Sequence, residues 1–147
     1  MKENKHLGVY GLVIKNNQIL LIKKVTGPYD GKLDLPGGSI EFGERPEAAL
    51  KREFLEETGI TLKKYHLYDT DSITIEWKYN KEDTITHHIG IFYIVDEFTD
   101  TIKKDIQIDN QNDDSLGAEF YNINNLTKNK LSSIAILELE KLGYKLK

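Results

Sequence analysis

The chain has 147 residues, 39% of them hydrophobic and 30% charged, with a net charge of −4 and no cysteine. A chain of this length reads as one domain, 1–147, able to bury a real core. The acidic balance argues against a nucleic-acid binder working through a broad basic surface, and the absence of cysteine excludes a disulfide framework, a thiolate metal site and a cysteine nucleophile.

The first residues, Met1 to His6, are too polar for a signal peptide. No apolar run approaches the roughly 20 residues needed to span a membrane. The expectation is a cytoplasmic protein with no membrane partner.

Leu7 to Ile14, rich in β-branched and apolar residues, reads as a strand. Lys15 to Gln18 is a turn, with asparagines that tolerate left-handed angles. Ile19 to Ile22 is a second strand, so the two make a hairpin. Gly27 to Gly31 is a loop, Leu33 to Leu35 a short extended segment, and Ser39 to Phe42 another short strand.

A helix is predicted over Pro46 to Thr58. Proline fits its first turn, Glu47 meets the positive end of the helix dipole, and Gly59 suits the left-handed position that ends it. Leu50 and Phe54, four apart, share a buried face. Arg45 stands where a capping serine or threonine usually precedes such a helix, which weakens the start slightly.

Tyr65 to Tyr79 alternates, with Ile73, Ile75 and Trp77 on one face. Asn80 to Asp83 is a polar turn, and Thr84 to Val95 returns as a central, buried strand. Asp96 to Asp114 reads as a long acidic loop. Ala118 to Ile123 is a last strand, and Asn129 to Leu142 an amphipathic helix ended by Gly143.

On the first helix Glu53, Glu56 and Glu57 stand at i, i+3 and i+4. Like charges at this spacing destabilise a helix by a few tenths of a kcal/mol per pair. A hard divalent cation with a preference for oxygen gives that cost a reason. A solvated acidic face is the plain alternative, and Arg52, one turn before Glu56, offers a third: an ion pair.

The surrounding residues favour the cation. Gly38, Glu44, Arg52, Glu53, Phe54, Glu56, Glu57, Gly59 and Ile60 together resemble the Nudix box, Gly-x5-Glu-x7-Arg-Glu-U-x-Glu-Glu-x-Gly-U, with U a bulky aliphatic residue. Every fixed position matches. Phe54 departs by filling the first U with an aromatic ring, which asks for a larger pocket under the helix.

The resemblance implies an α/β/α sandwich, with a mixed sheet between helices. It also implies hydrolysis of a nucleoside diphosphate linked to another group, by water attack, with Mg²⁺ or Mn²⁺ as cofactor. Carried over residue by residue, it makes Glu56 and Glu57 metal ligands and Glu53 a ligand or the base. Arg52 and Glu44 hold the cluster in place, and the Gly37 carbonyl is a backbone ligand.

A late loop adds a carboxylate in some families of this fold, for which Asp114 and Glu119 are the options. Substrate-binding candidates are Lys23, with Lys24 read as a solvated strand end, Tyr29 or Trp77 stacking on a base, and Asn129 reading a base edge or capping a helix. His87 and His88 adjoin on a strand and so point to opposite faces. The expected partner is a small nucleotide, with a nucleoside triphosphate favoured over ADP-ribose, another nucleoside diphosphate sugar or a dinucleoside polyphosphate. Oligomeric state stays open, a homodimer included. A non-catalytic Nudix-like regulator would be marked by lost box glutamates, and none is lost.

Overall fold

The computed structural model describes residues 1–99, 102 and 115–147, and among them eight strands and two α-helices follow one another in the predicted order, the first predicted strand being split in two. β1 (Lys2–Leu12) lies between β5 (Gly37–Ser39) and β7 (Glu82–Thr99), with β6 (Thr61–Tyr79) outside β7. β1 and β7 run parallel and their neighbours antiparallel, so this sheet is mixed. In a second sheet, β3 (Gln18–Lys24) pairs with β2 (Ile14–Lys15) and β4 (Leu33–Asp34), and also with β8 (Ser115–Asn122).

Alternation along the strands sends side chains into two cores. Val9, Val13, Leu20 and Ile22 pack with Leu50 and Phe54 of α1 (Pro46–Thr58). Tyr10, Leu12, Ile19 and Leu21 pack with Ile134 and Leu139 of α2 (Ser133–Lys141). The sheets therefore lie between two helices, the expected α/β/α sandwich. Each fully buried aliphatic or aromatic side chain contributes about 1.5–3 kcal/mol by leaving water, so the cores and not helix propensity hold the layers together.

The turns follow local chemistry. Asn16 and Asn17 adopt left-handed φ of 51° and 62° in the two-residue turn between β2 and β3. Asn80 and Lys81 do the same between β6 and β7.

Several boundaries differ from the sequence reading, the first strand beginning five residues early, at Lys2. The first strand breaks at Val13, giving β1 and β2. The strand expected over Ser39 to Phe42 forms instead at Gly37–Ser39, where pairing with β1 overrides the poor strand propensity of glycine. The last helix starts four residues late: Lys128–Lys130 is a 3₁₀ turn, Leu131 bridges to Leu33, and Ser132 Oγ accepts the Ala135 N–H at 3.2 Å as the cap. β7 runs on to Thr99, into what reads as loop. Among the described residues no helix is long and apolar enough to cross a membrane.

Candidate active site

The box helix forms where its residues predict. Pro46 opens α1, the side chain of Arg45 makes no capping bond, and Gly59 closes the helix at φ 79° with its N–H on the Leu55 carbonyl. Phe54 is fully buried, in space left by Gly11: a Cβ on Gly11 would lie 2.5 Å from Phe54 Cζ. That is the larger pocket the aromatic residue calls for.

Arg52 is the centre of the polar face. Its Nε and Nη2 donate to the two Glu44 carboxylate oxygens at 2.8 and 2.9 Å, a bidentate fork. Its Nη1 donates to Glu53 Oε1 at 2.9 Å and reaches Glu56 Oε2 at 3.5 Å, while Nη2 also donates to the Ser39 carbonyl at 3.0 Å. The Arg52 hydrogen bonds, with the Glu41 N–H, hold the Glu44 carboxyl down at about 2. Arg52 is in turn pushed up, by Glu44 above all.

Glu57 is held by a different donor. It is buried, and its Oε1 accepts the Gly37 N–H at 2.9 Å. Gly37 itself lies hard against β1, so that a Cβ there would fall 2.0 Å from the Val9 carbonyl oxygen. Gly38 is the floor beneath Glu53: a Cβ there would lie 2.7 Å from its carboxyl carbon. The two glycines are thus required by close approach to β1 and to the acidic helix.

Among the described residues no three His, Asp or Glu side chains converge as a ready-made metal cage. Arg52 Nη1 lies between Glu53 and Glu56, and the Gly37 N–H sits on Glu57, so each of the three carboxylates has a donor that offsets its charge. The donor set still fits a hard cation: it is all carboxylate and carbonyl oxygen, and the Glu53 carboxylate occupies room that any side chain at position 38 would fill.

Hydrogen bonds join Glu44, Arg52, Glu53 and Glu56 in one network and Gly37 to Glu57, next to the Gly38 that Glu53 covers. The other candidates stand elsewhere. Lys23 is exposed on β3, opposite Leu33. Tyr29 is buried at 4% exposure with its hydroxyl on His88 Nδ1 at 2.8 Å, so it presents no ring face for stacking. Asn129 neither opens nor caps α2: its carbonyl accepts Lys32 Nζ at 2.6 Å and its side chain accepts the Thr127 hydroxyl. Trp77 donates to Thr86 Oγ1 at 2.8 Å. Asp114 lies outside the described residues, and Glu119 is exposed on β8. His87 and His88 do face opposite ways, His88 buried and His87 lining a shallow pocket with Lys5 and Thr74. Ser39, which receives Arg52, carries no signal in the sequence, because its carbonyl and not its side chain does the work.

A family model described as NUDIX domain matches residues 4–138, and the chain belongs to that family. The chain is 36% identical over 122 residues to the ADP-ribose pyrophosphatase of Methanocaldococcus jannaschii, covering 83% of this chain and 64% of that protein. It is 41% identical over 56 residues to the 8-oxo-dGTP diphosphatase of Escherichia coli, covering 37% of this chain and 43% of that one. The chain thus spans less than two thirds of the length of these curated relatives. In fold it resembles the MutT NUDIX hydrolase of Burkholderia pseudomallei, with a TM-score of 0.71 at 24% identity over 94% of this chain and 98% of that one.

Proposed function

We propose that the protein is a divalent-cation-dependent Nudix pyrophosphohydrolase that cleaves the diphosphate of a small nucleotide by attack of water. The observation that carries this is the Arg52 fork, which fixes Glu44 and Glu53 beside a glycine strand that orients Glu57. A solvated acidic face needs no such scaffolding.

Glu53, Glu56 and Glu57, with the Gly37 carbonyl, are the groups to hold Mg²⁺ or Mn²⁺. The cation, when bound, offsets the charge of the diphosphate and lowers the pKa of a bound water. The remaining work belongs to the chain. Arg52 sets the rotamer of Glu53, Glu44 sets Arg52, and Gly37 holds Glu57 by one oxygen. Glu53 takes the proton of the attacking water or serves as a further ligand.

The substrate is a nucleoside diphosphate joined to another group. ADP-ribose comes first, because the likeness to the M. jannaschii pyrophosphatase runs over 83% of the chain and so includes loops outside the box. Nucleoside triphosphates, favoured from the sequence, come second: the E. coli match covers 37% of the chain. The setting is the cytoplasm.

The test is product release from ADP-ribose, 8-oxo-dGTP and the common nucleoside triphosphates with Mg²⁺, with Mn²⁺ and in EDTA. Turnover of one of them that vanishes in EDTA supports the proposal. Full activity in EDTA refutes the cation, and no turnover on any of them refutes the enzyme.

A further inference from the structure

Tyr10, Tyr29 and His88 are buried to within 4% of complete and lie outside the box. His88 Nε2 is 2.6 Å from the Tyr10 hydroxyl, and Nδ1 is 2.8 Å from that of Tyr29. Burial first, then the charges of His6 and Lys24, push the His88 imidazole down to about 3. The ring is therefore neutral, donates from one nitrogen and accepts at the other, and uses both on tyrosines.

His88 pairs with His6 across the parallel β1 and β7, and the two rings stack at 4.7 Å, 18° from parallel. His6 Nε2 is 2.8 Å from Ser39 Oγ. Tyr10 pairs with Gly37, and its ring lies so close that a Cβ on Gly37 would come 2.8 Å from Cδ1. The Tyr10 hydroxyl covers Gly8, where a Cβ would lie 2.3 Å from it.

One imidazole thus supports both ends of β5: the Gly37 end through Tyr10 and the Ser39 end through His6. Those ends hold the acidic helix, Gly37 by its N–H on Glu57 and Ser39 by its carbonyl under Arg52. We infer that His88 is a positioning residue for the hydrolysis, acting through Tyr10 and His6 to set the strand that aims Glu57 and Arg52. The inference rests on the hydrolytic reading above. Outer partners of metal ligands typically change affinity or activity by about 10- to 100-fold, and a residue one step further out belongs at the low end.

The variants are His88→Phe, which keeps a ring and removes both hydrogen bonds, and Tyr10→Phe, which removes one. Each is measured for kcat and KM on ADP-ribose and 8-oxo-dGTP, for Mn²⁺ binding by electron paramagnetic resonance without nucleotide, and for exchange of the Gly37 amide by NMR. Expected are a fall in kcat of about tenfold with KM little changed, weaker Mn²⁺ binding, and faster exchange at Gly37. Unchanged kcat, Mn²⁺ binding and exchange in folded variants overturns the inference. A rise in KM alone also overturns it, since His88 would then be a wall of the substrate pocket. Where His88→Phe does not fold, Tyr10→Phe decides. If the wild type turns over none of the nucleotides named above, the common triphosphates included, the hydrolytic reading fails, while Mn²⁺ binding and Gly37 exchange still decide whether His88 sets β5.

Discussion

Gly11 makes the room that Phe54 fills. A methyl group at position 11 would meet the ring at 2.5–2.6 Å, so the bare strand and the aromatic helix residue are complementary. Gly11→Ala is expected to destabilise by about 1–3 kcal/mol through overpacking, and Phe54→Leu by a smaller cavity term. Combined, the two costs should not add, because the smaller leucine gives the methyl group space. Urea unfolding of the four proteins checks this. Full additivity would mean that the ring and Gly11 do not share one packing site.

Helix α1 was legible to the residue because its signals are local: proline at the first position, glycine with positive φ at the end. The glycine strand was not, since Gly37 and Gly38 have no strand propensity and take their place from pairing with β1. The start of α2 was misread because Asn129 resembles a cap, whereas Ser132 is the residue whose backbone is held, by the Leu33 carbonyl. The spacing of Glu53, Glu56 and Glu57 singled out Arg52 as their ion-pair partner, which it is for Glu53 and Glu56, whereas the Gly37 N–H on Glu57 left no mark in the sequence. Arg52 is shared among several acceptors, and the Tyr10–His88 contact joins residues 78 apart.

Arg52→Ala should lower kcat by about 10- to 100-fold with a smaller effect on KM, since it orients Glu53 without being placed to bind substrate. Glu44→Gln should cost less than Arg52→Ala, because the guanidinium keeps its bonds to Glu53 and Ser39. Steady-state kinetics of both variants checks the order. A larger loss in Glu44→Gln would put Glu44, and not Arg52, at the centre of the cluster.

Glu138 on α2 predicts a pH dependence of stability. It is fully buried, and burial first, then the neighbouring Asp69, pushes its carboxyl up to about 8. Asp69 and Asp71 face it from β6, and Lys141 on its own helix contacts all three carboxylates. An acid with a raised pKa holds its proton in the folded state after the unfolded chain has lost it. Between the ordinary carboxylate value of about 4.3 and about 8 the folded state binds more protons, so this group's contribution to stability falls as pH rises through that window. Glu138→Gln removes the titration. Its Tm should exceed that of the wild type at pH 8, with the gap closing toward pH 5. Equal Tm profiles for the two proteins would show that Glu138 titrates normally.

The box glutamates are separated by replacing each with glutamine, which keeps size and hydrogen bonding and removes charge. Glu57 accepts the Gly37 N–H through Oε1, and a glutamine oxygen accepts the same bond, so Glu57→Gln should fold as the wild type does. It should bind Mg²⁺ more weakly, and added metal should restore part of the rate. Glu53→Gln removes one carboxylate from Arg52, but that pair is partly exposed, and such pairs contribute about 1 kcal/mol or less. Apo stability should therefore change little in either variant. If Glu53 takes the proton of the attacking water, Glu53→Gln should lower kcat by about 10²–10⁴-fold, and metal should not rescue it. If metal does rescue it, Glu53 is a ligand and the base lies elsewhere. A large loss of apo stability in Glu57→Gln would make the Gly37–Glu57 bond a fold-holding contact that needs the full carboxylate charge, and Glu57 would lose its assignment as a metal ligand.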